Sequence, residues 1–429
     1  MVRYITLGIF AAATLGLALL VEPVPSWYYH LAWWSYIGFL DDVNHRRSGR
    51  SLLRRPRRLA WLGGVSVAWW TLFEALNLRL GNWYYVMDHA SPWVSWPAGV
   101  LAFATVLPGL VVTLTFVEDA GWGRSVHVPR LAWGPGGDAL CAALGLACLV
   151  LPLAWPRYFY AVTWAWAALL LEPWNRRHAR RSYLRDLEHG EAGPLLQALA
   201  AGLACGVLWE AWNYWARTRW IYTVPFFDEL KLFEMPPLGF LGFPPFAVAS
   251  LVLVRFLRAA GERWAVPSPA RLVAWAVTAG LVTLVFATTD ATVDSLYVPT
   301  RRLRALEPEV RERLADLGLV SPERVARALA AEEPRAHWAG RSGLSAERLA
   351  RAQRAVRLVL HEGLGDARAV QLRALGIDSV ERLGAWEPEA LAAALRAADP
   401  RAPQARFLER RARVWVGSAP RPAAEDRPD

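Results

Sequence analysis

Leu72-Phe73-Glu74-Ala75-Leu76-Asn77, followed by Trp83 and Tyr85, returns later in the chain as Leu208-Trp209-Glu210-Ala211-Trp212-Asn213, followed by Trp220 and Tyr222. The correspondence extends upstream. Pro25-Ser26-Trp27-Tyr28-Tyr29, Trp33 and the run from Asp41 through Asn44, Arg46 and Arg50 to Ser51 match Pro156-Arg157-Tyr158-Phe159-Tyr160, Trp164 and the run from Glu172 through Asn175, Arg177 and Arg181 to Ser182. Downstream, Gly99, Leu101 and Phe103 match Gly239, Leu241 and Phe243. A duplicated unit of this length predicts two packed halves with a site between them.

The units are apolar enough to be membrane units. The chain is 55% hydrophobic and carries 24 Trp, which crowd the ends of apolar stretches as interfacial belts do. Spans are expected near 4–22, 27–40, 59–80, 97–117, 138–155, 157–171, 195–216, 237–257 and 270–289. The predicted fold is therefore all-α. It is a polytopic membrane protein of two tandem four-helix repeats (1–125 and 126–260) plus a ninth span (261–299). A small helical C-terminal domain (300–415) and a disordered end (416–429) follow.

The formal charge is +10, and Lys231 is the single lysine. Twelve Arg sit in the segments 41–58 and 172–194, beside apolar stretches, which argues for membrane lipids rather than nucleic acid as the partner. By the positive-inside rule these loops face the cytoplasm of a bacterial cytoplasmic membrane. Odd parity then sends the C-terminal domain to the periplasmic or extracellular side. Cys141, Cys148 and Cys205 lie in apolar stretches, with no CxxC and no His pair at metal spacing, so neither metal nor cofactor is expected.

Two constellations stand out. On the outer side, Glu74 and Glu210 lie at matching depth in their spans, with Asn77 and Asn213 three residues on and so on the same helical face. A carboxylate at that depth is costly unless paired, hydrated or protonated. Two such groups near one another would divide into an acid and a base, with Asn77 and Asn213 orienting them. Trp83, Tyr85, Trp220, Tyr222 and Asp290 are the candidate substrate contacts. The same Glu-x-x-Asn pairs could instead lock the two halves together. On the inner side, Asn44, Arg46, Arg50, Asn175, Arg177 and Arg181 are candidates for contact with an anionic headgroup. The bland alternative is a topology signal with a carboxylate–Arg clasp.

An acidic residue in a span, then Trp-x-Tyr, then a Pro-containing start of the next span resembles the membrane carotenoid cyclase and hydratase families. The matching stretches are Glu74 to Pro97 and Glu210 to Pro237, although Phe233-Glu234-Met235-Pro236 replaces the Pro-Glu-Glu signature of the cyclases. The resemblance implies intramembrane carboxylates that protonate or hydrate a polyene without a metal. In the tail, Leu314 to Glu323 echoes Leu372 to Glu381, and Gly363-Leu364-Gly365 through Leu383 is similar to a helix-hairpin-helix module. Such a turn can offer N–H groups to a phosphate, or serve a compact protein-contact domain. Taken whole, the chain resembles an uncharacterised bacterial multi-pass membrane family with a helix-hairpin-helix-like tail. Two functions follow as expectations. One is a lipid or isoprenoid enzyme using Glu74 and Glu210. The other is a non-catalytic scaffold or lipid transport protein that binds a protein partner through residues 300–415.

Overall fold

The computed structural model describes residues 1–87, 91–224, 231–265, 267–290, 293, 295–399 and 407–420, without the side chains of Met87 and Asp290. Helices dominate. The first half runs α1 (Val2–Ala18), α2 (Val24–Ser48), α3 (Pro56–Leu80), strand β1 (Trp83–Met87), α4 (Pro92–Phe103) and α5 (Val106–Asp119). The second runs α6 (Pro135–Ala154), α7 (Pro156–Phe159), α8 (Trp166–His178), α9 (Tyr183–Glu188), α10 (Gly193–Trp215), strand β2 (Arg219–Tyr222) and α11 (Phe243–Arg263). Then come α12 (Ser268–Asp290) and strand β3 (Ser295–Leu296). Proline opens α3, α4, α6 and α7, where its missing N–H costs nothing and its fixed φ suits the first turn.

Six helical stretches are long and apolar enough to cross a membrane: Pro56–Leu80, Pro92–Asp119, Pro135–Ala154, Gly193–Trp215, Pro237–Arg263 and Ser268–Thr289. The other three expected spans differ. Helix α1 is apolar but has 17 residues. The 27–40 stretch belongs to the 25-residue α2, which continues through Asp41, Asn44 and Arg46 to Gly49 in the left-handed conformation. The 157–171 stretch is broken into α7, a 3-10 turn at Tyr160–Trp164 and the start of α8. That turn delivers the Trp164 ring onto Phe73, with centroids 5.2 Å apart. The Arg-rich segments are correspondingly more helical than a loop reading implies.

The core of this part is aromatic. Trp33, Trp69, Phe73 and Phe246 are all buried, and Trp33 meets Trp212 edge-on at 4.8 Å. Small residues let helices approach: Gly206 of α10 lies under the Phe243 ring of α11, and a Cβ there would fall inside 3.0 Å.

The departure from an all-helical chain is a three-stranded sheet, in the order β2-β1-β3, built from segments expected as loops. Strands β1 and β2 pair antiparallel, Trp83 with Tyr222, Tyr84 with Ile221 and Tyr85 with Trp220. Strand β3 adds in parallel, Val86 against Ser295. Aromatic and β-branched runs favour a pleated, half-buried surface, and Trp-Tyr-Tyr-Val and Arg-Trp-Ile-Tyr are such runs.

The C-terminal domain holds α13 (Pro308–Asp316), α14 (Pro322–Ala328), α15 (Glu332–Ser342), α16 (Ala346–Leu360), α17 (Gly365–Ala374), α18 (Val380–Leu383), α19 (Pro388–Ala398) and α20 (Leu408–Gly417) around its own core. Ser321, Ser345 and Ser379 cap α14, α16 and α18 by accepting a backbone N–H three residues on. Gly318 and Gly376, at φ +87° and +81°, turn the chain before two of those caps. Helix α20 carries Val414, Trp415 and Val416 into packed positions, so ordered structure runs past residue 415.

This domain sits on the sheet. Tyr84 Oη donates to Glu362 O at 2.6 Å and accepts from Trp415 Nε1 at 3.1 Å. Tyr84, Ile221 and Val414 form a small buried cluster. The Gly363-Leu364-Gly365 turn packs on it: a Cβ on Gly363 would lie inside 3.0 Å of Val86 Cγ2, and one on Gly365 would be 2.5 Å from Ser295 Cβ. The turn is thus covered by the chain's own sheet.

Candidate functional site

The two Glu-x-x-Asn segments close α3 and α10, and each Asn holds the strand that follows. Asn77 Oδ1 accepts from the N–H of Asn82 at 2.7 Å and of Trp83 at 3.3 Å, and its Nδ2 donates to Trp83 O at 2.9 Å. Asn213 Oδ1 accepts from Trp220 N, and its Nδ2 donates to Trp220 O, both at 2.9 Å. An amide side chain presents one donor and one acceptor, the pair a strand residue presents to its neighbour. Each Asn therefore acts as an extra rung that fixes β1 or β2 against its helix.

With the strands fixed, their alternate side chains reach the carboxylates. Glu74 Oε1 accepts from Trp70 Nε1 at 2.8 Å and Tyr85 Oη at 2.6 Å, and Trp83 Nε1 lies 3.3 Å from both carboxylate oxygens. Glu210 Oε1 accepts from Tyr222 Oη at 2.9 Å, while Oε2 is buried and has no hydrogen-bond partner among the described residues. Both carboxylates are almost wholly buried. Burial pushes the Tyr85 and Tyr222 phenols well above their ordinary range, and the adjacent Glu74 and Glu210 carboxylates add to the effect. The phenols therefore stay protonated and serve as donors.

Between the halves lies a cavity of about 130 Å³. Tyr29 and His30 of α2, Trp70 and Glu74 of α3, Phe103 of α4, Trp209 of α10 and Phe286 of α12 contribute to its wall. Tyr85, Trp220 and Tyr222 of the sheet close one end. Among the described residues the lining is mainly apolar, and its polar groups include Glu74, His30 and Arg219. Helix α4 has no buried residue and α12 is mostly exposed, so this side of the cavity is thinly covered. Of the outer-side candidates, Glu74, Tyr85, Trp220 and Tyr222 line this cavity. Glu210 touches it through Tyr222, and Trp83 lies behind Glu74. The Asp290 side chain falls outside the described part, as do Asp88, His89, Asp228, Glu229 and Asp294.

The inner-side candidates do not meet around a common cavity. Asn44 Nδ2 donates to Val112 O at 2.8 Å and Asn175 Nδ2 to Val252 O at 3.0 Å, joining α2 to α5 and α8 to α11. Both are essentially fully buried. Asp41 accepts from Ser51 Oγ at 2.6 Å and Leu52 N at 2.5 Å; Glu172 accepts from Ser182 Oγ at 2.8 Å and from Tyr183 N. The acid of each motif thus pins the turn after its helix. Arg46 pairs with Asp42 at 3.0 Å, Arg50 with Glu118 and Asp119, Arg177 with Asp138, and Arg181 with Glu118 at 3.4 Å. Among the described residues no cluster of His, Cys, Asp and Glu could hold a metal ion.

Residues 304–421 match a family described as a domain of unknown function (DUF4332). The match covers the C-terminal domain and leaves the apolar part outside it. No curated protein and no solved structure matches the chain.

Trp70 and Phe286 enter the site without having been named from the sequence, and Tyr29 and Trp209 were named only as members of the repeat. Trp70 was findable, because it lies four residues before Glu74 and so on the same helical face. Phe286 was not, because nothing in the sequence pairs α12 with one half.

Proposed function

We propose that this is a multi-pass membrane protein in which two like halves, related by an axis along the membrane normal, enclose a site for a hydrophobic chain of lipid or isoprenoid type. Glu74 and Glu210, each with its tyrosine, handle protons there. The observation that carries this reading is the cavity itself: an aromatic wall with the Glu74 carboxylate at its surface and a phenol 2.6 Å from that carboxylate. The strand register supports the halves, since exchanging Trp83 with Trp220 and Tyr85 with Tyr222 maps the pairing onto itself. In this reading Tyr85 and Tyr222 orient the carboxyls, and Asn77 and Asn213 hold the strands that bear those tyrosines. The unpartnered Oε2 of Glu210 is the position where a proton is received or released. Such chemistry needs no metal.

The three donors around Glu74 favour a second reading, because a carboxylate so engaged also serves as a fixed lock. The protein would then be a scaffold or lipid conduit whose C-terminal domain meets a partner. Comparative mass spectrometry of lipid and pigment extracts separates the two. A deletion strain is complemented with wild type, Glu74→Gln or Glu210→Gln. A species lost on deletion and restored only by wild type supports the proton-transfer site. Full restoration by both variants removes the proton role. Loss of function on deleting 301–429 with extracts unchanged supports the scaffold.

A further inference from the structure

A second cavity, of about 710 Å³, lies between the C-terminal domain and the end of α1. Its size falls in the range of small-molecule sites. One wall is apolar: Leu17 and Leu20 at the end of α1 face Val359 and Leu360 of α16. The other wall is charged, and most of its charges are satisfied within the protein. Arg217 pairs with Glu22 at 2.8 Å and Glu323 at 2.9 Å, Asp366 with Arg304 at 3.1 Å, and Arg219 with Glu234 at 3.6 Å.

One charged group on this wall is different. Arg327 has no carboxylate partner among the described residues; its Nη1 donates to Ala18 O at 2.7 Å, and the rest of the side chain is exposed at the cavity. Outward-facing Leu15 and Leu19 of α1 are each 60% exposed, so the mouth adjoins an apolar helix surface.

We propose that this cavity binds an anionic phospholipid, its phosphate on the Arg327 guanidinium and its chain along Leu17 and Leu20. An unpaired Arg beside an apolar surface at the membrane boundary is the arrangement that anionic headgroups seek. The proposal rests on the membrane reading and is independent of any proton chemistry at Glu74 and Glu210.

The test uses the full chain, delipidated in a non-ionic detergent. Thermal unfolding and native mass spectrometry are followed during titration with a short-chain phosphatidylglycerol, a short-chain phosphatidylcholine or inorganic phosphate. Saturable stabilisation and a bound adduct are expected with the phosphatidylglycerol alone. Arg327→Ala should weaken binding at least about tenfold, the loss of one charge-assisted hydrogen bond, and Arg327→Lys should restore most of it. Leu17→Trp, which fills the apolar wall, should also weaken binding. Arg324→Ala is the control: Arg324 is not itself a lining residue, and the change removes only a parallel 2.8 Å bond to the Leu20 carbonyl. It should bind lipid as wild type does. No stabilisation of wild type, an equal response to phosphate alone, or equal losses in Arg324→Ala and Arg327→Ala would each overturn the proposal.

Discussion

Gly363→Ala should detach the C-terminal domain from the sheet while leaving both parts folded. Gly363 has φ +66°, and left-handed backbone costs a Cβ-bearing residue about 1–2 kcal/mol. The new Cβ would also fall inside 3.0 Å of Val86 Cγ2, in the packed cluster under Tyr84. Overpacking at such a site costs about 1–3 kcal/mol. Together the change opposes docking by about 2–5 kcal/mol. Gly376→Ala isolates the first contribution, because Gly376 has φ +81° but nothing within 4 Å of its Cβ position. Hydrogen exchange followed by mass spectrometry reads the result. Peptides covering 83–87 and 360–367 should exchange faster in Gly363→Ala, and both should keep wild-type protection in Gly376→Ala. Equal exchange in the two variants would refute the reasoning, since it would mean that the Gly363 contact with Val86 adds nothing beyond backbone strain.

Other consequences follow from the same geometry. Asn77→Ala and Asn213→Ala each remove bonds to the N–H and C=O of one strand residue, and should each cost about 1–3 kcal/mol in denaturant unfolding. Glu74→Gln keeps the shape but must present an NH₂ to indole or phenol donors, so it should lower stability more than Glu210→Gln, where one oxygen has no partner to offend. Thermal unfolding in detergent checks the order. Gly206→Leu should push α10 off the Phe243 ring and cost about 1–3 kcal/mol or more, seen as loss of monodisperse protein on size exclusion. Asp41→Ala should loosen the turn at Ser51–Leu53 and raise proteolysis there, with the Glu172→Ala change doing the same at Ser182–Leu184.

Much of the helical scaffold is legible in the chain because it is written in residue type. Proline starts, glycine ends and the Ser caps of α14 and α18 are local signals with local causes. The Glu-x-x-Asn pairs are legible too, since i and i+3 share a helical face whatever the surroundings. What they bind is not. Asn77 and Asn213 engage strand backbones that lie outside the helix, and backbone leaves no trace in side-chain identity. The sheet itself escapes because β1 and β2 have five and four residues and are separated by more than a hundred positions. β3 has two residues and no pattern of its own. Asn44 and Asn175 read equally well as headgroup contacts or as helix ties. Only the carbonyls of Val112 and Val252, on helices distant in the chain, distinguish these alternatives.

The order β2-β1-β3 makes the two halves mechanically unequal. Among the described residues β1 has a strand on each side and meets the C-terminal domain through Tyr84, whereas β2 has one strand partner and its Asn213 tie. An edge strand is the one that can peel away without breaking its neighbours. A pair of matching arms thus becomes one anchored jamb and one hinged leaf, and any widening of the aromatic cavity would begin at β2 and the α10 end that carries Glu210.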